Sequence, residues 1–347
     1  MKNIKLLKEI CEIAGAPGFE KRIREMVIKE VTPMVDNVSL DNMGNVTAFV
    51  KGKDSSKKIM IAAHMDEIGF IITHIDEEGF GRFHTLGGFD PKTLTAQRVI
   101  VHGKKDLIGV MGSKPIHVMS AEERNKVPKT TDYFIDFGMP KSEVEKYIEV
   151  GNPVTRDREL IEMGDCVNCK SIDNRVSVFI LLETLRKLKN PPFDVYGVFT
   201  VQEEVGIRGA QVATQEIQPD FSFCLDTTIA FDVPGAPAHE KVTELGKGTA
   251  IKIMDSRTIC DYRMVEYLKQ TANKHKITWQ NEILTAGGTD TSALQQMTAG
   301  GSIAGAISIP TRHIHQVIEM AHKNDIKGSI DLLLNAIKDI KKFDWNF

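Results

Sequence analysis

The stretch VYGVFTVQEEVGIRGA, residues 195–210, decides how the chain is read. It opens with an apolar run rich in β-branched and aromatic residues, which reads as a buried strand ending at Val201. Gln202 follows, then two adjacent carboxylates, Glu203 and Glu204, then Gly206 and Gly209. Two carboxylates this close repel unless a positive group holds them or one keeps its proton. A solvated turn is the simplest account of such a pair taken alone. The rest of the chain chooses between that account and a site.

Outward from this stretch, strand and helix patterns alternate. NVTAFVKG (45–52), KIMIAAHMDEIGF (58–70), FDVYGVFTV (193–201), FSFCLDTT (221–228), TAIKIMD (249–255) and AGAISIP (304–310) read as strands. Between them, residues 173–189 put Val176, Phe179, Ile180, Leu182, Leu185 and Leu188 near helical spacing, and residues 260–275 and 326–343 do the same. Nearly continuous apolar strands alternating with helices predict an α/β fold, a sheet covered on both faces. Residues 68–162 break the rhythm. Short strand-like pieces bounded by Gly, Asp and Pro replace it, with one short helix expected at 141–149. Such a segment predicts a small all-β domain inserted at 68–162 into an α/β domain made of 1–67 and 163–347.

The 347 residues suffice for one large domain or two ordinary ones, and the net charge of −3 does not suggest a nucleic-acid or polybasic membrane surface. No apolar run approaches the roughly 20 residues of a membrane span. The opening MKNIKLLKEICEIAG is too interrupted by charge for a signal peptide and reads as an amphipathic helix, with Ile4, Leu7, Cys11 and Ala14 on one face. Five scattered cysteines argue against a disulfide framework and for the cytoplasm. CVNC at 166–169 is a lone CxxC without a second pair, which makes a poor metal or redox motif.

Acidic and imidazole groups recur where apolar strands end: His64 and Asp66, then Glu203 and Glu204, Asp226, and finally His313 and His315. Asp173 stands just before a helix. Each alone has an ordinary explanation: a hydrogen-bonded pair, an N-cap for Asp173, turn chemistry for Asp226. Ligands of open α/β sheets bind beyond the carboxyl ends of strands, so these groups are expected to converge there. Several carboxylates and imidazoles in one pocket call for cations, and two divalent ions about 3.5–4 Å apart account for them. Imidazole with carboxylate suits zinc, cobalt or manganese better than calcium. One carboxylate must bridge such a pair, and one must stay free to move protons. That is a reason for two adjacent glutamates.

In order along the chain, AHMDEIGF, SIDNR, VQEEVGIRGA, LDTT, LGKGTAIKIMD, GGTDTSAL and ISIPTRHIH make the sequence resemble the M42 metallo-aminopeptidases, over essentially its whole length. This group includes glutamyl and deblocking aminopeptidases and the tetrahedral TET peptidases, and some members carry the name of CelM-type endoglucanases. The resemblance implies a zinc-peptidase-like fold and removal of amino-terminal residues from peptides. It implies two divalent ions per subunit, zinc or cobalt, with Asp173 bridging them, His64 and Asp226 on one, and Glu204 and His315 on the other. Glu203 is then the general base and Asp66 orients His64. His315 is preferred to His313, which falls where the family often has an aromatic or polar residue; Gln316 stands where Ser or Thr is expected. Gly287, Gly288, Thr289 and Asp290 match a substrate-facing loop. The inserted β domain is implied to mediate dimers, and dimers to assemble into a dodecamer.

The alternatives are a CelM-type endoglucanase and a metal-dependent scaffold without peptidase activity. Glycosidase carboxylates must flank the sugar about 5–9 Å apart, whereas Glu203 and Glu204 are adjacent, and the histidines would then have no role. Aromatics are only 7% of residues, with two tryptophans, so stacking platforms for sugars are scarce. A scaffold would have no use for Glu203.

Overall fold

The computed structural model describes residues 3–347; Met1 and Lys2, which open the amphipathic amino-terminal stretch, lie outside the described residues. One mixed sheet organises most of the chain. Its central strands Phe193–Thr200, Asp54–His64, Phe221–Ile229 and Ile303–Arg312 lie side by side in that order and all parallel. Antiparallel strands extend it on either side, Val46–Val50 and Asn37–Leu40 beyond the first, and Glu319–His322 with Cys166–Cys169 and Ile161–Met163 beyond the last. Thr249–Met254 also pairs antiparallel with Ile303–Arg312 and carries Trp279–Ile283.

Alternation along the central strands explains the layering. Ile59, Ile61 and Ala63 pack with the helices Ile4–Glu12, Lys21–Val31, Ile172–Lys187, Tyr262–Lys274 and Lys323–Asp339. Met60 and Ala62 face the other way, into a smaller core with Arg208–Ile217 and Thr291–Gln296. A strand buried on both faces needs apolar residues at every position, hence the unbroken runs in the sequence. In the amino-terminal helix Leu7, Ile10 and Cys11 are buried, while Ala14 lies past its end. The CVNC cysteines sit on a sheet strand as free thiols.

Between Gly69 and Arg156 the chain leaves this sheet and closes a separate six-stranded antiparallel barrel, joined in the order Gly69–Ile75, Gly81–Leu86, Phe134–Asp136, Asp106–Gly112, Arg98–His102, Pro153–Arg156. Phe70, Ile72, Val99, Val101, Met111, Ile135 and Val154 fill it. The helix expected at 141–149 is shorter, Lys141–Val144. Arg22, on a helix of the larger unit, forks onto Asp106 of the barrel with bonds of 2.6 and 2.7 Å.

Candidate active site

All four central parallel strands point their carboxyl ends to one side, and the site residues stand there. Thr200 lies opposite His64 at the end of one pair. On the other flank of the His64 strand, pairing runs no further than Cys224 opposite Ala62, two residues short of Asp226 and His64. The strands part at that level and leave a crevice. It opens into a cavity of ≈ 1010 Å³ whose walls include His64, Asp173, Glu203, Glu204, Asp226 and His315.

The turn after Thr200 is built to present the paired glutamates. Gln202, Gly206 and Ile207 all take positive φ, 55°, 126° and 59°, so the chain folds back and starts a helix at Arg208. Asp66, fully buried, clamps this turn: its Oδ1 accepts the Glu203 N–H at 3.1 Å and its Oδ2 the Glu204 N–H at 3.1 Å. One carboxylate thus holds the backbone of both glutamates, and their side chains diverge. Glu204 Oε2 lies 3.4 Å from His315 Nε2, and Glu203 Oε2 lies 3.9 Å from His64 Nε2.

His64 rests its Nδ1 3.1 Å from the Asp66 carbonyl oxygen, and 3.4 Å from the Asp66 carboxylate. A proton on Nδ1 serves the carbonyl and leaves the Nε2 lone pair facing the crevice. Asp173 lies between the imidazoles, with Oδ1 3.4 Å from His64 Nε2 and Oδ2 3.5 Å from His315 Nε2. Its φ/ψ of −74° and 110° mark a kink in the helix. Its Oδ1 has no hydrogen-bond partner, so the carboxylate faces the two imidazoles instead of capping a backbone N–H. Asp226 sits within its strand, not in a turn, 3.7 Å from His64 Nε2.

Three overlapping groups have the spacing to share a cation: His64, Asp173 and Asp226; Asp173, Glu204 and His315; and His64, Glu203 and Glu204. Buried Asp173 Oδ1 and Glu204 Oε1 have no hydrogen-bond partner, an arrangement that costs free energy unless something cationic meets them. The donor chemistry fits divalent zinc, cobalt or manganese. Electrostatics state the same need. Burial pushes Glu204 up to about 8, against the pull of the His315 charge, and pushes Glu203 well above the usual carboxylate range. Burial would lower His315, but Glu204 and Asp173 overcome it and raise the imidazole to about 10.

His313 lines the cavity but stands in none of these groups. Gly287, Gly288 and Thr289 also line it. Asp290 does not: it is 1% exposed, beneath the loop, with Oδ2 accepting from the Thr200 hydroxyl at 2.6 Å. Asp290 thus supports the loop from below, where a substrate contact is expected of Gly287, Gly288 and Thr289 as well. Burial raises Asp290 to about 7, and its charge helps raise Glu203. Sequence reasoning missed Glu319. It is fully buried, and its carboxylate accepts the backbone N–H of Asp173 at 2.8 Å and of His315 at 3.3 Å. It also missed Lys252, buried against Asp255 at 3.0 Å and Glu282 at 3.5 Å beside the glycine loop. A lone acid or lysine among sheet residues gives no local signal of such roles.

A doubly covered α/β sheet thus brings carboxylates and imidazoles together at the ends of its parallel strands. The profile of the M42 glutamyl aminopeptidases matches residues 44–332, and the chain belongs to that family. An aminopeptidase from the archaeon Desulfurococcus kamchatkensis has a structure similar to it, with 39% identity and a TM-score of 0.93, covering 97% of this chain and 94% of that one. The TET1 peptidase of Pyrococcus horikoshii, which can assemble into a tetrahedron or a large octahedral shell, matches with 31% identity and a TM-score of 0.86, covering 96% and 98%. The lysyl aminopeptidase of Pyrococcus furiosus is 31% identical over 99% of each chain. The protein is a peptide hydrolase of the aminopeptidase kind.

Proposed function

We propose that the chain removes amino-terminal residues from peptides at a centre for two divalent ions, zinc or cobalt. The observation that carries this is Asp173, whose two oxygens lie 3.4 and 3.5 Å from the Nε2 atoms of two different imidazoles. One ion would be held by His64, Asp173 and Asp226, the other by Asp173, Glu204 and His315. When bound, such ions supply Lewis acidity toward a water molecule and a peptide carbonyl.

Within that frame Glu203 accepts the proton of the attacking water and returns it to the departing amine. Burial raises its proton affinity, which suits both halves of the task. Asp66 fixes the Glu203–Glu204 backbone and the His64 ring, so neither reacting group must reorganise. Gly287 and Gly288 let a peptide backbone approach the cavity wall. Free thiols at all five cysteines fit a reducing cytoplasm. The barrel is the proposed contact surface between subunits, toward a dimer and a dodecamer.

Hydrolysis of aminoacyl anilides, measured before and after chelation and after return of cobalt or zinc, tests the reading. About two ions per chain and recovery of turnover are expected. Full activity in protein stripped of divalent ions overturns it.

A further inference from the structure

The barrel reaches into the candidate centre at two places. Gly87 and Gly88 follow its strand Gly81–Leu86. A Cβ on Gly87 would stand 3.3 Å from Glu204 Oε2, and one on Gly88 3.1 Å from His315 Nδ1. The loop therefore packs closely on two of the proposed ligands, and a Cβ on Gly87 would also come within 2.6 Å of Ile68 Cγ2.

The second contact is Arg156, the last residue of the barrel strand Pro153–Arg156. Its side chain is 1% exposed and crosses to the larger unit. Nη1 donates to the Gln316 carbonyl and lies 3.9 Å from Glu319 Oε1, while the guanidinium sits 5.8 Å from the centre of the Phe89 ring. Glu319, fully buried, spends both oxygens on backbone N–H groups, those of Asp173 and His315. It belongs to none of the groups able to share a cation. The Arg156 guanidinium faces this buried carboxylate from the barrel side. Removing it leaves a buried charge without its cation and loosens the hold on the two N–H groups.

We propose that Arg156 and Glu319 are positioning residues for the Asp173–Glu204–His315 half of the centre, so that this half is complete only with the barrel in place. Arg156 braces Glu319 from the barrel side, anchored on the Gln316 carbonyl. Glu319 fixes the backbone at Asp173 and at His315, and the loop at Gly87–Gly88 backs Glu204 and the His315 ring. Among the described residues, no hydrogen bond or ion pair joins the side chain of His64, Asp66 or Asp226 to the barrel. The proposal rests on the two-ion reading above.

Cobalt titration of chelator-treated full-length protein, followed by visible absorption and by ion counting, separates the two sites. The parent is expected to take up two ions. In Arg156→Met and Glu319→Gln one of the two should bind about 10–100-fold more weakly, the scale for losing a group that orients a ligand, while the other, which shares only Asp173 with it, is weakened much less. Arg156→Lys keeps the charge without the planar guanidinium and should recover part of the loss. The double variant Arg156→Met/Glu319→Gln leaves no unpaired buried charge and serves if a single variant fails to fold by circular dichroism. Two ions bound as in the parent, or both weakened alike, overturn the proposal. A parent that binds no ion pair overturns the two-ion reading and this inference with it.

Discussion

Glu203 and Glu204 are chemically identical in sequence and differ in what surrounds them. Glu204 faces His315 and Asp173, whereas Glu203 faces His64 across 3.9 Å. Glu203→Gln keeps shape but cannot take a proton, so turnover should fall by about 10²–10⁴ with ion content nearly unchanged. Glu204→Gln replaces an anionic donor by a neutral one; it should lose ion affinity and regain part of its activity in excess metal. Ion counting and metal rescue on both variants, side by side, decide the pair. A Glu203→Gln protein that loses its ions and is rescued by them reverses the assignment. Strand ends and like charges made His64, Asp173, Glu203, Glu204, Asp226 and His315 legible as candidates in the sequence. Glu319 was not, because its task is to hold backbone N–H groups 146 and four positions away, and nothing in its own surroundings in sequence signals either.

Elements show the same division. The central strands could be read because burial on both faces leaves no polar position to interrupt them. The helix Ile172–Lys187 was read as a stripe, yet every residue from Ile172 to Leu185 is buried. It packs on the central strands, with Lys323–Asp339 beside it on the same sheet and Ile4–Glu12 against its outer side, and a stripe cannot announce those extra neighbours. The turn after Thr200 depends on Gly209, the second residue of the returning helix. A Cβ there would come within 2.3 Å of Asn45 Oδ1 and 2.5 Å of the Val201 carbonyl oxygen. Asn45 itself accepts the Val201 N–H at 3.0 Å, so it has little freedom to withdraw. Gly209→Ala should cost about 1–3 kcal/mol of stability, the range for overpacking, and displace Glu203 and Glu204. Urea unfolding and turnover measured together check this; unchanged values in both would show that the turn relaxes cheaply.

Across the whole molecule, the break in strand–helix alternation pointed to an inserted β unit, but its closure into a barrel depends on pairings far apart in sequence. Those pairings turn apolar residues outward as well as inward. On the strand Asp106–Gly112, Leu107 and Met111 are buried while Ile108 and Val110 are 61% and 46% exposed, and Ile116, Val118 and Val127 later in the inserted unit are exposed as well. Ile108→Asp with Val110→Asp should leave the barrel folded and shift sedimentation to a smaller particle, if this face joins subunits. An unchanged particle mass would place the contact elsewhere.

Charge in the centre also couples to the stability of the entire chain, and the direction follows from the titrations. Glu204, raised by burial to about 8, holds a proton in the folded protein that the unfolded chain gives up near its ordinary value of 4.5. The folded state then binds more protons, so ion-free stability falls as pH rises from about 4.5 through 8. His315, raised to about 10 by Glu204 and Asp173 against burial, adds stability that is fully present below 6.5 and is lost as pH rises through 10. Both groups therefore weaken the ion-free fold on going from pH 6 to pH 8.5. Bound cations replace the protons, and a cation competes better as protons become scarce. The rise in melting temperature on adding zinc or cobalt should accordingly be larger at pH 8.5 than at pH 6, with protons released on binding. Differential scanning calorimetry of chelated and reloaded protein at the two pH values measures it. A rise that is equal at both, or larger at pH 6, would mean that the ions do not bind at these groups.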